Sequence, residues 1–197
     1  MRGRAAEEFI LSIVISQLIV LTGPPCSGKS TLAGQLAAIF GALVLDIDQI
    51  RQIVIPNSQQ SQEHRDIAYR CLHLVSEKLL EAGANAIVLT ATYTRRNTRQ
   101  WLRSLADSKS AQVCILACHV SPEIAIARFR SRAPGHPAVD LTEDLVQRQV
   151  MDYPYGVANV VECAIPLHES VAKAEYFVRE GKAIDLAEWV SQGAPGS

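Results

Sequence analysis

What the 197-residue chain lacks narrows its identity first. Five cysteines, an odd number, occur with no Cys-x-x-Cys pair. A disulfide framework and a four-thiolate zinc site therefore have no footing, and a reducing, cytoplasmic compartment is expected. Charge of one sign is also missing: 19 Lys and Arg oppose 20 Asp and Glu, for a net −1. That balance argues against a basic protein that coats nucleic acid and against an acidic disordered tail. Neither a G-x-S-x-G nor a G-x-G-x-x-G pattern is present, so hydrolase and dinucleotide-binding readings have no support. The five histidines, His64, His73, His119, His136 and His168, show no metal-ligand spacing. Beyond the N-terminal run no apolar stretch approaches the ~18 residues of a membrane span, and no membrane contact is expected. What is present is a 48% apolar fraction, enough for a sizeable core at this length and size of one domain.

The apolar run FILSIVISQLIVL follows Arg2 and Arg4 and has the layout of a secretion signal. A buried parallel strand also reads as a short Ile/Val-rich run. The strand reading is preferred, because cleavage would remove the strand that must feed the glycine-rich loop beginning at Gly23, and no small-residue cleavage site precedes it. Downstream, strand-like and helix-like patterns alternate. Strands are expected at 18–22, 42–46, 86–90 and 112–120, with a weaker one within 160–167. Helices are expected at 29–40, with Leu32, Leu36 and Ile39 on one face, and at 64–81, 95–107, 122–132 and 141–153. Ser121 and Thr142 are candidate caps, and Pro122 suits a first helical position. APGHP breaks the chain at 133–137, the last thirty residues read as helical, and the end is a soft SQGAPGS tail. Five strands alternating with helices imply an α/β fold with a parallel sheet covered on both faces.

The strongest motif is Gly23-Pro24-Pro25-Cys26-Ser27-Gly28-Lys29-Ser30, followed by Thr31. It fits G-x-x-x-x-G-K-[ST], the Walker A phosphate loop, and sits between a strand and a helix. Glycines let the backbone curl so that several N–H groups converge on phosphate oxygens, and the helix aims its positive end at the same anion. Lys29 supplies a cation for the outer phosphates, and the Ser30 hydroxyl is placed to ligate Mg²⁺. Cys26 reads either as a small residue that fits the loop or as a thiol made reactive by the helix end.

Asp46 and Asp48 follow the second strand, in LDIDQIR. In an open parallel sheet ligands sit beyond the carboxyl ends of strands, which puts both carboxylates near the phosphate loop. A hydroxyl acceptor needs such a carboxylate to orient it and take its proton. Arg51 is spaced to grip an anionic group on that acceptor. The bland alternative is a capped helix start carrying a surface Asp–Arg pair.

GPPCSGKST, LDIDQIR, TATYTRRNTRQWL and VSPEIAIARFRSR occur in an order that resembles the P-loop kinase group. That group holds polynucleotide 5′-kinases, zeta-toxin-like kinases, chloramphenicol phosphotransferase and AAA-type, kinase-like ATP-binding domains. The resemblance spans about residues 17–155 and implies a P-loop NTPase fold: a five-stranded parallel sheet, helices on both faces and a small helical lid at about 122–141. It implies an ATP- and Mg²⁺-dependent transferase in which Asp48 activates the acceptor hydroxyl and Arg51 binds an acceptor phosphate, as in the polynucleotide-kinase branch. Of Arg128 and Arg132, four apart near the end of one helix, one or the other is then expected to close over the migrating phosphate; the alternative is that they only complement the helix dipole.

The sequence departs from the group at Thr90-Ala91-Thr92-Tyr93, where many members carry Asp at the end of the third strand. Asp46, ending the neighbouring strand, is the available substitute. Thr92 and Tyr93 are expected to line the acceptor site or to be ordinary strand-end residues. Arg95, Arg99 and Arg103 share a helix face, with Arg96 beside them. Arg99 is the substrate-binding candidate among them, although aromatic interleaving is thin and a solvated face is the competing reading. Cys114 and Cys118 are expected in the core. The function expected is transfer of the γ-phosphate of ATP to a hydroxyl of a small molecule, nucleotide or nucleic-acid end, nucleic acid being the less favoured acceptor. A nucleotide-binding switch or slow ATPase is the alternative.

Overall fold

The computed structural model describes residues 16–56, 61–132, 141–181 and 183–195. Most of the N-terminal apolar run, the APGHP break, much of the expected lid and the last two residues of the tail lie outside them. The backbone follows a strand–helix alternation: β1 (Gln17–Thr22), α1 (Lys29–Phe40), β2 (Leu43–Asp46), α2 (Ile47–Val54), α3 (Gln62–Glu81), β3 (Ala86–Thr90), α4 (Arg96–Lys109), β4 (Gln112–His119), α5 (Pro122–Arg130), α6 (Glu143–Met151), β5 (Asn159–Glu162), α7 (Leu167–Glu180) and α8 (Leu186–Ser191).

The five strands form one parallel sheet in the order β2-β3-β1-β4-β5. β1 is central: Leu18 pairs with Ile87 on one side and with Val113 on the other. Successive side chains of a strand point to opposite faces, so a strand covered on both sides must be apolar throughout. Leu18 and Val20 pack with Leu72 of α3, Leu102 of α4 and Trp189 of α8. Ile19 and Leu21 pack with Leu32 and Leu36 of α1 and with Ala174 and Val178 of α7. All four of these β1 residues are fully buried, each worth roughly 1.5–3 kcal/mol relative to exposure. A third, smaller cluster joins Val120, Ala125, Val146 and Val150 under α5 and α6.

The element boundaries show what ends each pattern. Ser121 caps α5 by accepting from Ile124 N, with Pro122 in the first turn, and Thr142 caps α6 by accepting from Leu145 N. β5 stops at Glu162, short of the expected 167, because Pro166 and α7 follow. Ile39 is not on the buried face of α1; it is 38% exposed at the end of the helix, beside the edge strand β2 whose Leu43 and Val44 are also exposed. α2 is a further helix, which the sequence showed only as a capped start. Its first two free amide groups are taken by Asp46 Oδ1, at 2.9 Å from Asp48 N and 3.2 Å from Gln49 N. Cys118 is buried in the core as expected, whereas Cys114 is only partly covered. Among the described residues, no helix is long and apolar enough to cross a membrane.

Candidate active site

A crevice of about 970 Å³ opens at the carboxyl ends of the strands, where the order around β1 reverses. The phosphate loop forms its floor. Gly23, directly after β1, has φ +146°, and a Cβ there would lie 2.7 Å from the Cys118 carbonyl oxygen. Only glycine fits this turn. Gly28 has φ +95° and Cys26 φ +59°, so the loop curls through two further left-handed positions before α1 begins. No side chain caps α1, which leaves its first N–H groups and its positive end directed at the loop. Pro24, Pro25, Cys26, Gly28, Lys29, Ser30 and Thr31 line the crevice. Gly23 and Ser27 do not; Gly23 shapes the turn, and the buried Ser27 side chain faces inward.

Lys29 reaches back over the loop and donates to the carbonyls of Gly23 (3.0 Å) and Pro24 (2.7 Å). Burial lowers its pKa, against the raising influence of Asp48 and Asp46. For Cys26 the balance is also set by burial: desolvation raises the thiol pKa despite Arg132, Lys29 and Arg128 nearby. The loop cysteine packs against the small apolar cluster under α5 and α6, and burial disfavours its thiolate.

Asp46 is the hub of the second wall. Its Oδ1 caps α2, and its Oδ2 accepts from Ser30 Oγ at 3.1 Å and from Thr90 Oγ1 at 2.5 Å. The parallel register places Asp46 directly beside Thr90. Thr90, at the end of β3, thus holds the Asp46 carboxylate beside the position where a third-strand carboxylate would stand. Asp48, one residue into α2, lines the crevice, with its Oδ1 3.6 Å from Arg51 Nη2. Arg51 also lines the crevice and is 6% exposed. LDIDQIR does form a capped helix start, but Arg51 is buried rather than on the surface, and both Asp48 and Arg51 line the crevice.

Thr92 lines the crevice, but Tyr93 does not; it turns into the core with φ +44°. The Thr92 carbonyl accepts from Thr22 Oγ1 (2.7 Å) and from the Tyr153 hydroxyl (2.5 Å), and its own Oγ1 is 3.3 Å from the Tyr69 hydroxyl. Tyr69 Oη in turn accepts from Tyr93 N at 2.9 Å. The Tyr153 and Thr22 hydroxyl oxygens also lie against each other. These contacts fix the backbone after β3 against β1 and against the segment after α6.

Arg128 bridges the phosphate loop and the sheet. Nη1 donates to the Cys26 carbonyl at 3.3 Å, and Nη2 donates to the Cys163 carbonyl. Arg132 lines the same side, its guanidinium 5.8 Å from the Phe129 ring centroid. Arg130 between them faces outward to Glu143.

Arg99 is the correction among the expected site residues. It is 1% exposed, absent from the crevice wall, and donates to the carbonyls of Tyr93 (2.7 Å), Trp189 (2.6 Å) and Pro154 (3.4 Å) while stacking 4.7 Å over Trp189. Its helix partners do not form an anion-binding face either. Arg95 is the N-cap residue, Arg96 donates to the Ser191 carbonyl, and Arg103 lies 3.6 Å from Asp107. The face is occupied because α8 docks on α4, which periodicity alone does not reveal. Conversely, Arg65, Arg148, Asp152, Tyr153, Gln192 and Ala194 line the crevice without any local motif to mark them. Among the described lining residues, Lys29 and five arginines face three carboxylates, so the crevice is cationic although the chain is nearly neutral.

Comparison with known proteins agrees with this geometry. A family model described as an AAA domain matches residues 18–154. Among curated proteins, a tRNA dimethylallyltransferase of Chlorobium luteolum is 39% identical over 80 residues, covering 36% of this chain and 25% of that protein. The chain spans about a quarter to a third of the length of the curated relatives it matches. Among solved structures, a gluconokinase from Sinorhizobium meliloti has a TM-score of 0.62 at 21% identity, covering 90% of this chain and 95% of that one. Shikimate kinase from Acinetobacter baumannii, in complex with shikimate, has a TM-score of 0.54 at 17% identity over 83% and 92% of the two chains. With its phosphate loop, parallel sheet and matched family model, the chain belongs to the AAA-domain family, in the P-loop kinase-like group with the P-loop NTPase fold.

Proposed function

We propose that the protein is an ATP-dependent phosphotransferase that moves the γ-phosphate to a hydroxyl group of an acceptor bound beside Asp48. The observation that carries this reading is that the phosphate loop with the uncapped start of α1, the Ser30–Asp46 pair and Asp48 all face the same crevice. The loop amides and Lys29 hold the phosphate tail, Lys29 exchanging its two loop carbonyls for phosphate oxygens. Ser30 Oγ and the Asp46 carboxylate suit a hard divalent cation that keeps several waters, and Mg²⁺ bound there would neutralise charge on the transferring phosphate. Asp48 accepts the acceptor's hydroxyl proton as the acceptor oxygen bonds to the γ-phosphorus and the bond from that phosphorus to the β-bridging oxygen breaks, releasing ADP. Arg128, anchored on the Cys26 and Cys163 carbonyls, and Arg132 beside it place positive charge over the moving group. Arg51 orients the acceptor from the opposite side, and Thr92 presents a hydroxyl at the base of its pocket.

Asp48→Asn tests this assignment. Transfer measured as ADP release should fall at least about 100-fold, the scale of general-base catalysis, while ATP affinity measured by calorimetry stays within about twofold. Thr90, which brings no second carboxylate to the site, favours one other reading: a nucleotide switch or slow ATPase. ATP turnover that ignores every acceptor and is unchanged in Asp48→Asn would establish that alternative.

A further inference from the structure

The lining of the crevice restricts the acceptor in two ways. The first is charge. Arg51 of α2, Arg65 of α3 and Arg148 of α6 all line the crevice, so three separate helices each contribute a guanidinium group. Arg51 is almost wholly buried beside Asp48. Tyr69, whose hydroxyl lies 3.3 Å from Thr92 Oγ1, lines the crevice together with Arg65 and Asp48. Arg148 lies one turn before Asp152 and Tyr153, and Tyr153 is bonded to the Thr92 carbonyl. A guanidinium group is a planar fork that fits the paired oxygens of carboxylate or phosphate, and low-dielectric walls concentrate its field.

The second restriction is closure. Beyond α8 the chain is latched to the start of α4 and to the segment before β5. Ala194 N donates to the Thr94 carbonyl at 2.8 Å, and Arg96 N donates to the Ala194 carbonyl at 2.9 Å. Gln192 Oε1 accepts from Val157 N at 2.7 Å, and the fully buried Trp189 anchors the preceding helix. Gly193 lies so close to α4 that a Cβ would come within 2.7 Å of Arg96 N. Gln192 and Ala194 are therefore a wall of the crevice, held in place by these bonds.

We infer that the acceptor is a compact hydroxyl compound bearing a carboxylate or a phosphate, held by Arg51, Arg65 and Arg148 and enclosed by Gln192–Ala194. This rests on the phosphotransferase reading and specifies its substrate class.

The test is ADP release from the full chain with ATP and matched probes: D-gluconate and D-glycerate, glucose 6-phosphate and glycerol 3-phosphate, the neutral sorbitol, glucose and glycerol, and a 5′-hydroxyl decadeoxynucleotide. ATP binding is titrated by calorimetry alongside. Transfer is expected only to anionic small molecules, and whether carboxylates or phosphates react identifies the anion. Arg65→Gln and Arg148→Gln should each raise KM for the accepted probe at least about tenfold, the scale of a lost charge-assisted hydrogen bond, with KM for ATP unchanged. A neutral probe or the oligonucleotide as best acceptor, no transfer to any anionic probe, or no KM change in both variants overturns the inference while ATP binding persists. Absence of ATP binding overturns the phosphotransferase reading itself.

Discussion

Replacing Arg99 by Met separates its structural role from a role in binding. Arg99 is 1% exposed and sends its two short hydrogen bonds, 2.7 and 2.6 Å, to the Tyr93 and Trp189 carbonyls; the third, to Pro154, is long at 3.4 Å. Met matches much of the volume, so cavity formation is minor, but both close carbonyls lose their donor. An unsatisfied buried acceptor costs about 1–3 kcal/mol. Two of them amount to about 2–6 kcal/mol, offset in part because a buried guanidinium is itself expensive to desolvate, which leaves about 2–4 kcal/mol. For a chain of this size that lowers Tm by roughly 4–16 °C. Urea denaturation is the assay, with midpoint and slope fitted separately so that a change in the unfolded state is recognised. Arg99→Lys should be nearly as unstable, because a point ammonium cannot bridge carbonyls from three segments. ATP affinity should be unchanged, since Arg99 does not line the crevice. A stability within about 0.5 kcal/mol of the parent, or a stable variant with weakened acceptor binding, would refute the structural assignment.

Other outcomes follow from the same contacts. Asp46→Asn keeps an oxygen for the amides of Asp48 and Gln49, so stability should change by less than about 1 kcal/mol, while half-maximal turnover should need at least about tenfold more Mg²⁺; an unaltered Mg²⁺ titration contradicts the role given to this carboxylate. Gly23→Ala forces a Cβ against the Cys118 carbonyl at φ +146°, and should destabilise by roughly 1–3 kcal/mol and weaken ATP binding, read by melting and calorimetry together. His73 is held neutral by burial, with its pKa lowered to about 4. The unfolded chain takes up this proton near 6.5, so its contribution is intact above pH 6.5 and is lost as pH falls toward 4, by about 3 kcal/mol in all. The difference in unfolding free energy between wild type and His73→Gln should follow that window, and a pH-independent difference would contradict it.

The phosphate loop was legible because its requirements are local: two glycines, a lysine and a hydroxyl at fixed spacing between a strand and a helix. The central strands were legible because a sheet covered on both faces demands unbroken apolar runs, as in Leu18–Leu21 and Ile87–Leu89. The pairing of Asp46 with Ser30 and Thr90 was half visible, since strand ends in a parallel sheet share one side, but the register that joins them is a tertiary fact. Arg99 shows where local reasoning stops. Helical spacing grouped it with Arg95 and Arg103, and only the docking of α8, nearly ninety residues later, decides that this face is buried. Arg65, Arg148 and Gln192 reach the crevice for the same reason: each occupies an unremarkable local pattern and is brought there by packing between elements distant in sequence. The sequence by itself determined the chemistry of phosphate binding, because backbone curl and spacing suffice for it. Tertiary structure alone decided which charges line the crevice, because that depends on how separate helices meet over the sheet.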